Sequence, residues 1–370
     1  MIHNLGSMSR HDKIFVTRTF MPPLDEVYQL LEGIWDRGQL TNNGPLLLEL
    51  EEKLKAYLGL DHLLFLGNGT IALQLAIRAL EVEGEVITTP YSYAASTTSL
   101  LWERCTPVHT DIDPVTFCID PALVEAAITP RTSAILATHV YGLPCEIDAL
   151  EDIALRHGLK VIYDGAHAFG STWKGRSLLH YGDVSTLSCH ATKIFHSAEG
   201  GTVSARDPEV QDRLRLMRSF GHVKDEHFMM GINGKNSELH AAMGLVVLRY
   251  MDVILQQRKE QWLLYAGLLK DTAVQMAVIP TGTEYNYSYF PVVLPDEAAL
   301  IRVMSALAEV NVFPRRYFFP SLTELPYLTV RRNCPMASDI ASRVICLPLY
   351  HGLGGTIQEE VIHTLKQALN

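Results

Sequence analysis

Several common sequence features are absent from this chain of 370 residues, and each absence argues against a class of protein. No apolar run approaches the roughly 20 residues that a membrane-spanning helix needs, so we expect no membrane segment. No long basic block is present and the net charge is -10, which argues against nucleic acid as a partner. The chain also contains no internal repeat and no low-complexity segment.

The cysteine spacing and the N-terminal sequence both favour a cytoplasmic location. The six cysteines form no Cys-x-x-Cys pair and no regular framework, which is typical of reduced thiols in a cytoplasmic enzyme. The start of the chain lacks the apolar core of a signal peptide, and Gly6-Ser7-Met8 is typical of an expression-tag remnant. We therefore expect residues 1–12 to be a tag remnant and disordered start, and the protein to be cytoplasmic.

Length and patterning predict two domains. The apolar content of 48% is sufficient for sizeable cores, and a chain of this length exceeds one small domain. Strand-like runs alternate with helical patterns over residues 13–265, which predicts a large three-layer α/β/α domain with a mostly parallel sheet. This domain should include a long helix over residues 237–264. Residues 266–370 have the pattern of a small C-terminal α+β domain, with one of its strands over residues 287–294.

Lys193 occupies an unusual position in this pattern. Predicted strands cover residues 160–163 and 184–189; Asp164 stands where the first ends, and Lys193 follows the second. Ligands of open α/β sheets bind at the carboxyl ends of strands. A lysine is most often a solvated surface charge, but Lys193 lies among small and apolar neighbours without a helical charge pattern. A poorly solvated lysine becomes a nucleophile towards carbonyl groups, and pyridoxal phosphate (PLP) is the aldehyde that proteins most often hold in this way.

A candidate anion site lies earlier in the chain. A strand over residues 63–66 leads into Gly67-Asn68-Gly69-Thr70 and then into a helix rich in alanine and leucine. Free N–H groups and the helix dipole at such a position favour a phosphate. The alternative is a glycine turn in which Thr70 caps the helix. The loop matches neither the dinucleotide fingerprint nor the Walker motif, so it supports neither NAD nor ATP.

Two further groups have both a functional and a structural interpretation. Tyr91 or Tyr93 can stack on a flat cofactor ring, although a single tyrosine more often belongs to a core or an interface. Arg315 and Arg316 stand among aromatic residues, where arginines bind phosphate or stack on a base. Paired arginines are also common at a solvated edge, so the pattern alone leaves both interpretations open.

With these motifs in place, the sequence resembles the DegT/DnrJ/EryC1/StrS family of sugar aminotransferases. These are fold-type I PLP enzymes that act on nucleotide-linked keto sugars. The resemblance runs along nearly the whole chain, and several motifs in the same order are more specific than any single one. The motifs are TNNGPLLLELEEKL, GNGTIAL, PYSYAAS, THVYGLP, YDGAHAFG, SCHATKIFHSAEGG, INGKNSELHAAMG, FPRRYFFPSL and CLPLY.

The resemblance implies a role for each matching residue. Lys193 resembles the catalytic lysine that binds the PLP aldehyde, and Asp164 the acid that pairs with the ring nitrogen. His167 stands beside the ring oxygen, where most members have glutamine, and Tyr93 matches the stacking aromatic residue. The phosphate contacts implied are Gly69, Thr70, the amide of Ile71, Ser188, and Asn233 from a neighbouring subunit. The substrate contacts implied are His190, Arg315, Arg316 and Tyr317.

The resemblance also implies a reaction and an assembly. L-Glutamate would donate its amino group and leave as 2-oxoglutarate, with pyridoxamine phosphate as the aminated form of the cofactor. A homodimer with shared active sites is implied by Asn233. The segment from Cys189 to Lys193 and the RRYFFPSL run resemble most the members that make dTDP-4-amino-4,6-dideoxyhexoses, which feed O-antigen or other glycan synthesis. Cys189-His190-Ala191 and Asn236 depart from the common family pattern but remove no group that the reaction needs.

Three other functions remain open at the level of sequence. A 3-keto-sugar or UDP-linked keto-sugar aminotransferase would use the same motifs with a different substrate. Family members that dehydrate their substrate characteristically carry histidine at the lysine position, so Lys193 argues against that activity. A non-catalytic PLP-binding sensor would keep the cofactor contacts but would need no sugar pocket.

Overall fold

A computed structural model describes residues 13–370; the predicted tag remnant at residues 1–12 lies outside this range. The helices are α1 (Leu24–Arg37), α2 (Pro45–Leu58), α3 (Gly69–Ala79), α4 (Ala94–Trp102), α5 (Pro121–Ala126), α6 (Ile147–His157), α7 (Pro208–Met217), α8 (Glu238–Leu248), α9 (Met251–Leu269), α10 (Glu297–Glu309), α11 (Pro335–Arg343) and α12 (Gly355–Leu369). The strands are β1 (Ile14–Phe15), β2 (Leu64–Leu66), β3 (Glu85–Thr88), β4 (Thr106–His109), β5 (Thr132–Thr138), β6 (Lys160–Asp164), β7 (Thr172–Trp173), β8 (Arg176–Ser177), β9 (Val184–Ser188), β10 (Gly201–Ala205), β11 (His222–Val223), β12 (Glu226–His227), β13 (Gln275–Met276), β14 (Thr283–Glu284), β15 (Phe290–Val293), β16 (Val312–Phe313) and β17 (Val344–Leu347).

The centre of the fold is a seven-stranded sheet in the order β2-β10-β9-β6-β5-β3-β4. Only β10 runs against the other strands, since it pairs antiparallel with both β2 and β9. The remaining pairs are parallel. A mostly parallel sheet with crossover helices confirms the predicted α/β class.

Alternating side chains along the strands bury both faces of this sheet. In β5, Ala134 and Leu136 belong to a core cluster that includes residues of α3 and α7. Ile135 and Ala137 point the other way, into a second cluster that includes residues of α2, α6 and α8. Successive residues of a strand face opposite sides, so one apolar strand supplies two cores and the sheet becomes the middle of three layers.

The C-terminal part of the chain has its own antiparallel sheet, in the order β13-β15-β17. A third apolar cluster joins this sheet to α9, α10 and α12, which is the predicted α+β arrangement. The domain boundary itself stays a prediction. Position 265/266 falls inside α9, and β1 from the start of the described chain pairs with β16 from its C-terminal part.

The predicted long helix over residues 237–264 is wrong as a single element. The structure has two helices, α8 and α9, with Arg249 and Tyr250 between them. The amides of both residues bond to carbonyls three residues earlier, and Tyr250 has φ −102° and ψ 0°. Both side chains bind Glu26. The tightened last turn ends α8, and the contacts with α1 hold the break in place.

The predicted strand over residues 287–294 is shorter than its apolar pattern suggested. Tyr287 has a positive φ of 54°, which lies outside the β region of regular strands. The Ser288 hydroxyl donates to the carbonyl of His167, in the loop after β6, at 2.8 Å. The segment before β15 therefore packs against that loop and does not extend the strand.

Among residues 13–370, no helix is long and apolar enough to cross a membrane. All six cysteines lie within the described range; they are buried and form no disulfide.

Candidate active site

The polar strand ends of the main sheet meet at one edge. Thr138 at the end of β5 is in register with Asp164 at the end of β6, and Asp164 is in register with Thr186 of β9. Lys193 follows β9 in a turn in which its amide donates to the His190 carbonyl at 2.9 Å. These residues line one cavity of about 340 Å³. The prediction that ligands bind at this edge therefore has a physical basis in the strand register.

Lys193 shares this cavity with Asp164 and His167. Burial lowers the pKa of Lys193 from its usual value of 10.5 to about 8, and the nearby Asp164 carboxylate opposes the shift. Loss of hydration disfavours the ammonium form, whereas the negative charge favours it. A pKa near 8 leaves about a quarter of the amine neutral at pH 7.5, against roughly 0.1% for an ordinary lysine. Lys193 is thus suited to attack an aldehyde.

We predict that the reactivity of Lys193 in cofactor-free protein reaches half its maximum near pH 8. Burial stabilises the neutral amine, so the reactive form should appear at lower pH than in a free lysine. Labelling with an amine-acylating reagent, quantified by mass spectrometry across a pH series, measures this midpoint. Lysine acetylated only at its α-amino group, with a free side-chain amine, serves as the reference. A midpoint above pH 10 for Lys193 would contradict the assignment.

The Asp164 carboxylate is buried and held at both oxygens. Oδ2 accepts a hydrogen bond from the Ser96 hydroxyl at 2.7 Å, and Oδ1 accepts one from the Ala166 amide at 3.0 Å. These two bonds fix the orientation of the carboxylate, which lines the cavity. An ionised carboxylate at this point in the cavity can hold a proton on the ring nitrogen of a bound cofactor.

His167 is neutral in this environment. Burial lowers its pKa well below the usual value, and the positive charge of Lys193 acts in the same direction. Its ring stacks on Phe318 at 5.6 Å, and its buried Nδ1 has no hydrogen-bond partner among residues 13–370. A neutral imidazole has one N–H donor and one acceptor, so it can hydrogen-bond a ring oxygen without adding charge.

The loop before α3 forms part of the cavity wall, as the sequence predicted, but its cap differs. The Asn68 side chain, and not Thr70, caps the helix by accepting from the Ile71 amide at 2.9 Å. The Ile71 amide predicted to contact a phosphate is therefore already bonded. The first-turn amides of Gly69 and Thr70 have no acceptor within the helix and suit an anion.

Gly69 lies directly against Ser188 at the end of β9. A side-chain carbon added at Gly69 would lie 3.2 Å from the Ser188 Cβ, closer than ordinary packing allows. Gly69, Thr70 and Ser188 all line the cavity. The absence of a side chain at Gly69 lets the helix N-terminus approach the strand end, which brings backbone and hydroxyl donors to one place.

The structure distinguishes the two tyrosines. Tyr91 is fully buried, and its hydroxyl lies 2.6 Å from that of Tyr141, so it belongs to the core. Tyr93 is 66% exposed and lines the cavity at the start of α4. Tyr93 is therefore the ring available for stacking, and its stacking on the cofactor stays a prediction.

The structure also separates the two arginines. Arg315 lines the cavity, where its guanidinium carbon lies 5.4 Å from the centroid of the Tyr317 ring. Arg316 does not line it: its guanidinium donates to the Ser342 carbonyl at 2.7 Å and forms an ion pair with Glu297. The substrate contact predicted for Arg316 is therefore corrected, because its Nη2 is already bonded to Glu297 and to carbonyls of α11.

His190, the remaining predicted substrate contact, is half-exposed and lines the cavity. Its Nδ1 lies 2.8 Å from the Thr192 hydroxyl, and its Nε2 lies 3.6 Å from the Glu199 carboxylate. Asn233 is exposed and does not line this cavity; its backbone forms an isolated bridge with Ser219. The structure of one chain thus brings together every predicted site residue except Ile71, Asn233 and Arg316.

Several residues that line the cavity were not predicted from the sequence. They are Asn68, Ser92, Thr138, Thr186, Glu199, Tyr289 and Phe318. Asn68 had a detectable signal, since asparagine before a helix is a common cap. Tyr289 and Phe318 come from the C-terminal part and reach the site through long-range packing, which no local pattern indicates.

These residues fit PLP. The structure supplies a lysine of lowered pKa, a buried carboxylate, a buried imidazole with an unpaired nitrogen, and a helix N-terminus beside a serine. Each matches one chemical group of the cofactor: aldehyde, ring nitrogen, ring oxygen and phosphate. The fold and the site together define the class of protein as a PLP-dependent enzyme.

Comparisons with known proteins identify the family. Residues 24–366 match the model of the DegT/DnrJ/EryC1/StrS aminotransferase family, and the chain belongs to this family. The chain is 43% identical over 361 residues to a dTDP-4-amino-4,6-dideoxy-D-glucose transaminase of Shigella dysenteriae, covering 96% of this chain and 98% of that protein. A transaminase of the same name from Escherichia coli is 40% identical over 366 residues, covering 96% and 97%.

Solved structures agree with this assignment. The structure of DesI in the presence of its TDP-sugar product superposes with a TM-score of 0.92 at 34% identity, covering 99% of this chain and 95% of DesI. The PMP form of Spr1654 from Streptococcus pneumoniae gives a TM-score of 0.90 at 25% identity, covering 97% of this chain and 98% of that chain. The predictions of a PLP-dependent sugar aminotransferase and of its fold are confirmed.

Proposed function

We propose that this enzyme transfers the amino group of L-glutamate to C4 of a dTDP-4-keto-6-deoxyhexose. The product would be a dTDP-4-amino-4,6-dideoxyhexose for O-antigen or other glycan synthesis. The observation that carries the proposal is the 43% and 40% identity, over nearly the full chain, to two dTDP-4-amino-4,6-dideoxy-D-glucose transaminases. The cavity residues supply the groups that such a reaction needs.

Lys193 is the residue we assign to both bond formation and proton transfer. When bound, PLP withdraws electrons from the substrate carbon and carries the amino group between the two substrates. Lys193 Nζ, with a pKa of about 8, can release and recover a proton near neutral pH. It shares the cavity with Asp164 and His167, where it would lie beside a bound cofactor.

Two other residues control the charge around the cofactor ring. Asp164 would hold the ring nitrogen of bound PLP in its protonated form, and neutral His167 would hydrogen-bond the ring oxygen. Tyr93 would stack on the ring. Because Asp164 and His167 are both buried, their interactions are weakly screened by water.

We assign the substrate anion to the C-terminal wall of the cavity. Arg315 and Tyr317 present a guanidinium and a phenol there, and His190 stands at the half-exposed rim. A guanidinium binds phosphate oxygens in pairs, and an aromatic ring can stack on a base or pack against a sugar. This arrangement suits a nucleotide diphosphate with its sugar directed towards Lys193.

A substrate panel tests this proposal. The enzyme is incubated with glutamate and with dTDP-4-keto, dTDP-3-keto and UDP-4-keto 6-deoxyhexoses, and the aminated carbon is located by NMR. We expect amination at C4 of the dTDP sugar. Preferential amination at C3, or of the UDP sugar, would assign the enzyme to the other substrate class. Absence of 2-oxoglutarate formation in the glutamate half-reaction would instead favour a non-catalytic PLP-binding protein.

We also propose that the functional unit is a homodimer with shared sites. Asn233 does not line the cavity of its own chain, as a residue contributed to a partner requires. The segment between α7 and α8 that contains it exposes five apolar side chains: Phe220, Val223, Phe228, Met230 and Ile232. Exposed apolar groups concentrated in one loop favour burial against another surface.

Mixing Lys193→Ala subunits with subunits impaired at Asn233 should raise activity if sites are shared. Lys193→Ala subunits are combined with Asn233→Asp subunits, whose carboxylate repels the cofactor phosphate; loss of the asparagine contact should weaken PLP retention by about 1–3 kcal/mol. Each mixed dimer then contains one doubly damaged site and one site with both residues intact. Activity is measured after mass spectrometry has shown subunit exchange, and no recovery at that stage would argue against shared sites.

A further inference from the structure

Three buried hydroxyls form a chain that ends on Asp164. The Ser96 hydroxyl donates to Asp164 Oδ2 at 2.7 Å, and the Ser92 hydroxyl lies 2.8 Å from that of Ser96. The Thr138 hydroxyl donates to Ser92 at 3.2 Å. All four side chains are buried, with exposures between 0% and 4%. This chain of hydrogen bonds thus connects Asp164 in the candidate site to the hydroxyls of Ser96, Ser92 and Thr138.

Asp164, the acceptor at the end of the hydroxyl chain, fixes the direction in which each hydroxyl donates. An ionised carboxylate only accepts hydrogen bonds, so Ser96 uses its single proton on Asp164. Ser96 must then accept from Ser92, and Ser92 in turn accepts from Thr138. A run of hydroxyls oriented in one direction polarises each bond along it, which strengthens the final donor.

The residues of this hydroxyl chain come from two elements next to the cofactor cavity. Thr138 is the last residue of β5 and is in register with Asp164 of β6. Ser92 and Ser96 flank Tyr93, and the Ser96 amide donates to the Tyr93 carbonyl at 3.2 Å. The turn that places the stacking tyrosine therefore also carries the donor to the carboxylate.

We propose that Ser96, supported by Ser92 and Thr138, is a positioning residue that keeps the Asp164 carboxylate ionised and oriented towards the ring nitrogen of PLP. The Ala166 amide holds the other oxygen, so the carboxylate cannot rotate without breaking a bond at each end. Without the Ser96 donor, the proton shared by the carboxylate and the ring nitrogen moves towards Asp164. This inference rests on the role proposed for Asp164.

The protein contains a closely matched control residue for Ser96. Ser99 lies in the same helix, is equally buried, and its hydroxyl has no hydrogen-bond partner among residues 13–370. Ser96→Ala and Ser99→Ala remove the same atom from the same element. We expect Ser96→Ala to lower kcat about tenfold to a hundredfold with little change in KM, because a hydrogen bond to a charged group is lost. Ser96→Thr should restore most of the rate, and Ser99→Ala should leave it unchanged.

The decisive readout is the protonation of the ring nitrogen, which a purely structural role would not change. The holoenzyme is loaded with PLP labelled with ¹⁵N in the ring, and the nitrogen resonance is recorded by NMR. Ser96→Ala should move the resonance towards the neutral pyridine position, and Ser92→Ala should move it less in the same direction. If neither variant moves the resonance relative to Ser99→Ala, the proposal is overturned.

A further variant separates this inference from the proposed function. Asp164→Asn should move the ¹⁵N resonance further than any serine variant. If Asp164→Asn moves it and both serine variants leave it in place, only the role of the hydroxyl chain is overturned. If Asp164→Asn also leaves it in place, the role of Asp164 fails together with the chain. Should Ser96→Ala fail to fold, Ser92→Ala and Thr138→Val provide the same comparison.

Discussion

Replacing Lys193 by alanine is expected to abolish turnover and the visible absorbance of bound PLP. Lys193 supplies the amine of lowered pKa in the cavity, so alanine removes both the bond to the cofactor aldehyde and the base for proton transfer. Loss of a residue with both functions should reduce kcat by roughly a thousandfold or more. Absorbance spectra and single-turnover kinetics with glutamate measure the two effects.

Lys174→Ala is a suitable control for this variant. Lys174 forms a surface ion pair with Asp148 and lies outside the cavity, so its loss should leave both signals intact. A Lys193→Ala protein that keeps the visible absorbance and turns over glutamate would show that another lysine holds the cofactor.

Replacing Asp164 by asparagine should leave PLP bound but slow both half-reactions by roughly a hundredfold or more, the scale of losing a key electrostatic contact. Asparagine keeps the shape, and its single acceptor oxygen can take the hydrogen bond from Ser96 or the one from Ala166 but not both; a neutral amide also cannot hold the proton of the ring nitrogen. Single-turnover rates for glutamate and for the keto sugar measure the loss in each half-reaction.

A structural role for Asp164 gives a different result. If the carboxylate only bonded to the turn at Ala166, the variant would melt at a lower temperature yet keep its rate per folded molecule. Thermal unfolding recorded beside the kinetics separates the two cases. An unchanged rate in folded Asp164→Asn protein would remove Asp164 from the reaction.

The strands and their polar ends could be predicted from the sequence because they depend on local patterns. Continuous apolar runs bounded by Gly or Asp marked β6 and β9 to within a residue, and Asp164 and Lys193 followed from where those runs end. Parallel strands of one sheet have their carboxyl ends at the same edge, so the two residues had to lie near each other.

Other features depend on contacts between distant parts of the chain. Arg315 and Arg316 are adjacent and chemically identical, and Arg316 lies outside the cavity because it bonds to Glu297 and to carbonyls at the end of α11. Tyr91 and Tyr93 present the same problem, which the Tyr141 hydroxyl resolves. The break between α8 and α9 needs Glu26 from α1. No local periodicity contains this information.

The hydroxyl chain shows why small polar residues are the hardest to interpret. Ser92 and Ser96 lie within the PYSYAAS motif, yet serine is common in loops and first helical turns for purely local reasons. Their role follows only from the distance to Asp164, 68 residues beyond Ser96 in the chain.

The most direct test of the account is to reduce the holoenzyme with borohydride and map the cofactor-modified peptide by mass spectrometry. Reduction fixes the cofactor to the nitrogen that holds it, so the modified residue is identified without mutation. We predict modification of Lys193 alone, in the peptide that follows β9. Modification of another lysine, such as Lys224 or Lys235, would contradict the assignment of Lys193 and with it the active site described for this enzyme.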